Sequence, residues 1–318
     1  MTLLFQDDLF LKHETGQHPE CPDRLRSIHD RLAQSGLPAR CLKGEYQPLA
    51  IDESIFSKVH EADVVARVKQ AVEAGGGRLD PDTVVSPDSL TVMLATTGVC
   101  LSAVRQVLEG VDKNALCLVR PPGHHATRDR SMGFCLVNNV ALAAEYARQQ
   151  HGLKHILIVD WDVHHGNGTQ DIFYDDPEIT FFSQHQYGFG FYPGTGNFDE
   201  TGTGAGRGHT INVPVPYGTR RVELRNCFQQ ALEKAAEIAK PELILLSAGF
   251  DAHFKDPIGG LELETQDFRE MTREVLEIAR THAQGRLVSC LEGGYNLQAL
   301  AECVEVHLEE MVNEGSST

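Results

Sequence analysis

Residues 155–169 read HILIVDWDVHHGNGT, and the first half of that stretch decides the architecture. Ile156, Leu157, Ile158 and Val159 lack the alternation of a half-solvated strand, so the strand they predict is buried on both faces. Such a strand belongs to a largely parallel sheet covered by helices. Asp160, Asp162 and His164 then follow two residues apart. Side chains alternate across a strand, so these three share one direction at its end. Gly166 and Gly168 let the backbone turn sharply beyond them. Two carboxylates and an imidazole converging there fit catalytic zinc, which takes three protein ligands and keeps a position open. A solvated polar turn accounts for the glycines, but not for charges at period two directly behind four aliphatics.

Four more short apolar runs lie at 115–119, 179–182, 243–246 and 287–291, and helical patterns at 137–150, 220–239, 265–282 and 296–312 supply the cover. Upstream, Pro19 and Pro22 precede a short helix at 24–29, in which Arg24 reads from spacing alone as a solvated charge. One or two helices across 53–75 end at Gly75-Gly76-Gly77, and another spans 89–109. No repeat or linker interrupts the chain. The expectation is a single α/β domain with a mostly parallel central sheet flanked by helices, and a disordered tail at 313–318.

Composition narrows the function. The 318 residues are 41% hydrophobic and 23% charged, ordinary for a globular protein. A net charge of −17 argues against a nucleic-acid surface, and suits either solubility or the steering of cationic substrates. No run approaches 18 uninterrupted apolar residues, so no membrane span is expected. The acidic start MTLLFQDDLFLKHETG does not read as a secretory signal, and a cytoplasmic location is expected. The eight cysteines, at 21, 41, 100, 117, 135, 227, 290 and 303, contain no CxxC pair and read as reduced core residues.

Each apolar run leads into a loop rich in Gly with His, Asp or Tyr: RPPGHHATRDRSMGF, SQHQYGFGFYPGTGNF, SAGFDAHFKDP and EGGYNL beside the opening stretch. Ligands of open parallel sheets bind beyond the carboxyl ends of the strands, so these loops share one rim. Asp251 in SAGFDAH is the natural third metal ligand, with His253 as its rival. His124 and His125 are candidates for acid–base work, with Asp160 and Asn167 as partners for their second nitrogens. A carboxylate stabilises imidazolium and an amide does not, so the histidine facing Asn167 is expected to stay neutral and act as base. Tyr295, behind two glycines, is placed to donate to a carbonyl oxygen as it becomes an oxyanion. There is no GxGxxG, GK[ST], HExxH or GxSxG pattern.

Taken together, RPPGHHA, GFCLVNN, DWDVHHGNGTQ, FYPGTG, SAGFDAH and EGGYNL resemble the zinc-dependent histone deacetylase superfamily, which also holds acetylpolyamine amidohydrolases and acetoin-utilisation proteins. The resemblance runs from about His13 to Leu297, and Asn167 with EGGYNL is similar to the class II branch. It implies an arginase-like fold with the active site at the carboxyl ends of the strands, a catalytic domain over 1–312, and hydrolysis of acyl-lysine or a similar acylamide. It gives zinc (Fe²⁺ as an alternative in the cell) to Asp162, His164 and Asp251, and the general base and acid to His125 beside His124. Tyr295 polarises the carbonyl, and Asp160 partners the first histidine. Structural potassium falls to Asp160, Asp162, His164 and Ser183, and Phe173 offers its carbonyl to a second monovalent site. Phe134 and Tyr192 line the acyl-lysine tunnel with Gly133 and Gly294; many relatives carry Phe where Tyr192 stands. Arg24 takes the place of a residue lining an internal product channel. Ile258 stands where polyamine-selective relatives carry a Glu gatekeeper, which favours acyl-lysine or other acylamides over polyamines. The alternatives are an acetylpolyamine amidohydrolase of the same mechanism and a non-catalytic acyl-lysine binding module. A two-metal arginase-like hydrolase lacks enough further carboxylates at the rim.

Overall fold

The computed structural model describes residues 1–46 and 52–314. The strands are β1 (Leu3–Phe5), β2 (Leu42–Lys43), β3 (Gly77–Arg78), β4 (Val84–Val85), β5 (Asn114–Cys117), β6 (Ile156–Asp160), β7 (Ile179–Gln186), β8 (Thr210–Val215), β9 (Leu243–Ala248) and β10 (Leu287–Leu291). The α-helices are α1 (Asp23–Ser35), α2 (Phe56–Val59), α3 (Ala62–Glu73), α4 (Ser89–Leu108), α5 (Asn139–His151), α6 (Asn167–Phe173), α7 (Arg221–Ala239), α8 (Thr265–His282) and α9 (Leu297–Glu314). Eight strands form one sheet in the order β2-β1-β5-β10-β9-β6-β7-β8, and every pairing in it is parallel. β3 and β4 form a separate antiparallel pair.

The five expected strands occupy the middle of this sheet, where β5, β6, β9 and β10 are buried at every position. Three strands of this sheet were not expected, nor was the separate pair β3 and β4. β1 and β2 have only three and two residues, too few for a pattern, and β8 alternates because it forms an edge. The helices α1, α9, α8 and α7 pack in a row, while α4 and α5 pack together against β5, β10 and β9. α1 runs well past the short helix expected at 24–29, to a left-handed Gly36. Asn138 caps α5 by accepting from the Ala141 N–H, and Glu264 and Asp267 cap α8 reciprocally. α4 is long and apolar enough to cross a membrane, but most of it is buried in the fold, which accounts for its composition. Asn313 and Glu314, assigned to the tail, continue α9; residues 315–318 lie outside the described residues.

A buried ionic knot ties the N-terminal segment to the loop after β5. Arg120 donates to both oxygens of Glu20, at 2.5 and 2.8 Å, and to the carbonyls of Phe10 and His13. Burial opposes the charge on Glu20, but Arg120 beside it, with His13 and Arg24, holds its carboxyl down at about 2. A depressed carboxyl stabilises the fold above its ordinary range near 4.5, and that stability is lost as pH falls toward 2. Arg120→Met leaves a buried carboxylate without its main partner and is expected to cost about 3–5 kcal/mol, read by urea unfolding at neutral pH. An unchanged midpoint would show that the knot contributes nothing.

Candidate active site

All the polar loops leave the sheet at the carboxyl ends of parallel strands, so the residues they carry meet on one rim. At its centre Asp162, His164 and Asp251 offer ligand atoms that all lie within 4.8 Å of one another. His164 Nδ1 sits 3.0 Å from Asp162 Oδ1 and 3.2 Å from Asp251 Oδ2. The remaining carboxylate oxygens are held by backbone: Gly293 N–H donates to Asp162 Oδ2 (2.8 Å) and Val163 N–H to Asp251 Oδ1 (2.9 Å). Asp251 Oδ2 is buried and faces His164 Nδ1, which is already shared with Asp162 Oδ1, so it lacks a hydrogen-bond donor of its own, which is costly for a carboxylate oxygen. A Cβ at Gly249 or Gly293 would overlap these carboxylates, so the cradle needs glycine on both sides. Two buried carboxylates sharing a single imidazole N–H, with ligand atoms within 4.8 Å of one another, fit a divalent cation with oxygen and nitrogen ligands.

Electrostatics agree. Burial opposes charge on His164, yet Asp162 and Asp251 raise its imidazole to about 9. Asp251 is pushed up to about 7 by burial and by the neighbouring Asp162. Without a cation, protons take up the positive charge that the cluster calls for. His253 is not part of the cluster. Its Nδ1 accepts from the Lys255 N–H (3.1 Å) and its ring stacks on Phe254, so the rival third ligand is excluded.

The paired histidines stand beside this centre with the partners expected. His124 Nδ1 is 3.0 Å from Asp160 Oδ2, and His125 Nδ1 is 2.7 Å from Asn167 Oδ1. Burial disfavours charge on His124, but Asp160, Asp162 and Glu292 outweigh it and hold the imidazole well above its ordinary range. Burial pushes His125 well below its range, and the cationic His124 and His164 add to that; its ring centroid lies 4.0 Å from that of His124. The surroundings thus favour the charged imidazole at His124 and the neutral one at His125. Its Nδ1 proton goes to Asn167 and its Nε2 is left to accept. Asn167 is the first residue of α6, and α6 starts so close to the histidine loop that a Cβ at Gly168 would overlap the backbone of Ala126.

Tyr295 follows Gly294, whose φ of +121° is left-handed. Its ring meets Phe134 edge-on at 5.8 Å and lies 5.0 Å from the Arg24 guanidinium. Burial, with Asp251 and Asp162, raises the phenol well above its ordinary range against the pull of Arg24, so it remains a donor. Arg24 is fully buried rather than solvated: it donates to the carbonyls of Gly294 (2.7 Å) and Glu292 and to Glu20 Oε1 (3.3 Å). Spacing alone misplaced it because its partners lie 268 and 270 residues away.

Around the centre, Phe134 takes a φ of +70° beside Gly133, where a Cβ would press on the His125 ring. Tyr192 stands edge-on to His125 (5.0 Å) and His164 (6.2 Å), and its buried hydroxyl has no hydrogen-bond partner. Phe191 stacks on His164 at 5.1 Å. Ile258 is half-buried in a turn fixed by Asp256. Behind the site, Ser183 pairs in register with Asp160, whose Oδ1 accepts from the Asp162 N–H, and Ser183 Oγ is 2.9 Å from His185 Nδ1. Phe173 closes α6, and its carbonyl accepts from Asp176.

Two positioning residues escaped the sequence reading. Glu292 accepts from the N–H groups of Gly123 (2.6 Å) and His124 (3.2 Å), pinning the paired histidines to the strand beside them. Asp256 accepts from Tyr295 and Asn296 with one oxygen and from Ile258 and Gly259 with the other, joining the loops of Asp251 and Tyr295. An Asp before Pro reads as an ordinary turn, and a buried Glu inside EGG carries no periodic signal.

Comparisons with known proteins place the chain and its fold. Residues 18–311 match the family model described as the histone deacetylase domain. The chain is 37% identical to a histone deacetylase-like amidohydrolase of Pseudomonas aeruginosa, over 98% of this chain and 86% of that protein. It is also 37% identical to the polyamine deacetylase HDAC10 of Homo sapiens, over 98% of this chain and 48% of that one. The crystal structure of the HDA15 HD domain superposes with a TM-score of 0.90 at 35% identity, covering 98% of this chain and 89% of that one.

Proposed function

The chain belongs to the histone deacetylase family, and from that premise we propose that it is a zinc-dependent amidohydrolase that removes acetyl or other acyl groups from lysine side chains or similar acylamides. The observation that carries this reading is the buried convergence of Asp162, His164 and Asp251, with Asp251 Oδ2 lacking a donor of its own, beside two histidines paired one with Asp160 and one with Asn167. Asp162, His164 and Asp251 would hold the ion, which supplies Lewis acidity to the amide carbonyl and lowers the pKa of a water.

The chain's own groups then divide the proton work. His125 Nε2 takes a proton from the attacking water, because Nδ1 is committed to Asn167. Tyr295 donates its phenol hydrogen to the carbonyl oxygen as negative charge gathers there. His124, kept cationic by Asp160, stabilises that charge and keeps His125 neutral until the proton arrives. His125 then returns the proton to the departing amine, releasing carboxylate and free amine. Phe134 and Tyr192, from two different loops, wall the path of the acyl-lysine stem. Asp160, Asp162, His164 and Ser183 are proposed to hold structural potassium, with the Phe173 carbonyl in a second monovalent site.

The human polyamine deacetylase relative gives the second reading some support, and Ile258 counts against it. Purified, metal-assayed protein offered a panel of acyl-lysine peptides and acetylpolyamines decides between them. Faster turnover of acetylspermidine than of every peptide would replace the first reading with the second. Bound peptide without turnover in zinc-loaded protein would leave only a binding module.

Two further results are expected. Because zinc must displace protons from Asp251 (about 7) and His164 (about 9), its affinity rises with pH and levels off above about 9. The slope is up to about tenfold per unit for each proton displaced. Competition titration against a chelator reads this, and a flat profile across pH 6 to 9 would contradict the ligand assignment. Asn167→Asp gives His125 a charged partner, which raises its pKa and moves the acid limb of the kcat/KM profile toward neutrality. An unmoved limb would show that His125 is not the base.

A further inference from the structure

Beneath the catalytic loops, three cysteines from three elements meet in the core. Cys117 ends β5, Cys290 lies opposite it in register on β10, and Cys100 comes from α4, which packs on both strands. All three are fully buried. Their sulfurs lie within 4.8 Å of one another, and Cys100 and Cys290 are 3.6 Å apart, in van der Waals contact but unbonded. Each thiol exchanges S–H···S contacts with the other two. Sequence reading takes cysteines in apolar runs as small hydrophobes, which holds for each one singly and misses their convergence. The exposed Cys227 departs from that reading altogether.

We infer that Cys100, Cys117 and Cys290 form a binding site for a trivalent thiophilic metalloid, with arsenic(III) as the chemical type. Charge selects the ligand. Three thiolates around a monovalent or divalent cation leave net negative charge in an apolar core that already feels Glu292, and such charge is expensive. Three thiols and one trivalent centre leave none. Arsenous acid is neutral near pH 7 and reacts as As(OH)₃ + 3 RSH → As(SR)₃ + 3 H₂O. Three As–O and three S–H bonds break, three As–S bonds form, three waters leave with the protons, and no atom changes oxidation state. Burial holds Cys117 well above its ordinary range, and one neighbouring thiol together with burial does the same for Cys100 and Cys290, so they are the neutral partners this exchange uses. A pyramidal three-sulfur centre requires sulfurs touching one another, as Cys100 and Cys290 already do. Occupancy would clamp α4 to the two strands that lead to His124 and Glu292.

The test uses full-length protein expressed with and without arsenite in the medium, so that burial of the thiols after folding does not limit entry. One arsenic per chain is expected, with the mass raised by one arsenic less three hydrogens. Thiol titration after unfolding in the arsenic-bound sample should find five reactive cysteines of the eight. Cys100→Ser, Cys117→Ser and Cys290→Ser should each lower arsenic affinity by more than tenfold, while Cys41→Ser and Cys227→Ser leave it unchanged. Where a Ser variant does not fold, the Ala variant takes its place. Eight free thiols in protein folded with arsenite, or one arsenic per chain retained in Cys117→Ser or Cys117→Ala, would overturn the assignment.

Discussion

Asp162→Ala is expected to leave a folded chain whose kcat/KM for an acyl-lysine peptide is lower by about 10³-fold or more. The ion's Lewis acidity supplies several kcal/mol to the transition state, and each 1.4 kcal/mol or so is a factor of ten. The substitution relieves the repulsion between Asp162 and Asp251, which contributes to holding Asp251 up at about 7, while taking from His164 one of its two carboxylate partners. That relief offsets part of the cost of leaving the Gly293 N–H without an acceptor. Asp162→Asn is the sharper variant, since it keeps an acceptor for Gly293 but loses the charge. Bound zinc, the thermal midpoint and kcat/KM are measured on the same samples. Near-normal turnover in either variant would remove Asp162 from the metal site.

Tyr295→Phe is expected to lower kcat by about 10²–10³-fold with KM and bound zinc little changed. The substitution removes one oxygen and keeps the ring, so the edge contact with Phe134 and the cation above the ring both persist. The backbone is held independently, because Asp256 accepts from the N–H of Tyr295 whatever its side chain. A loss confined to kcat therefore reports a hydrogen bond made only as the carbonyl oxygen becomes charged. Equal changes in kcat and zinc content would instead mean that Tyr295 is needed to build the site.

Much of this site was legible in the sequence because the reporting signals are local. Four aliphatics fixed β6 as a buried parallel strand, and period two then aimed Asp160, Asp162 and His164 one way. The different fates of His124 and His125 followed from the chemistry of an aspartate and an amide as partners; burial strengthens the neutrality of His125 and opposes the charge on His124, which Asp160, Asp162 and Glu292 sustain. What the sequence hid is long-range. Arg24 reads as a surface charge until the loop at 292–294 closes over it. Glu292 and Asp256 act through backbone N–H groups, which every residue but proline carries and which leave no mark in composition. The edge strand β8 and the short β1 and β2 lacked the continuous hydrophobicity that marks the centre of the sheet.

The most direct measurement is hydrolysis of an acetyl-lysine peptide by one preparation assayed as purified, after chelation, and after zinc is returned. Turnover should vanish on chelation and recover fully at one zinc per chain, with Asp251→Ala showing no recovery at any zinc level. Undiminished turnover in the chelated protein, or no turnover once zinc occupies Asp162, His164 and Asp251, would contradict a zinc-dependent deacylase.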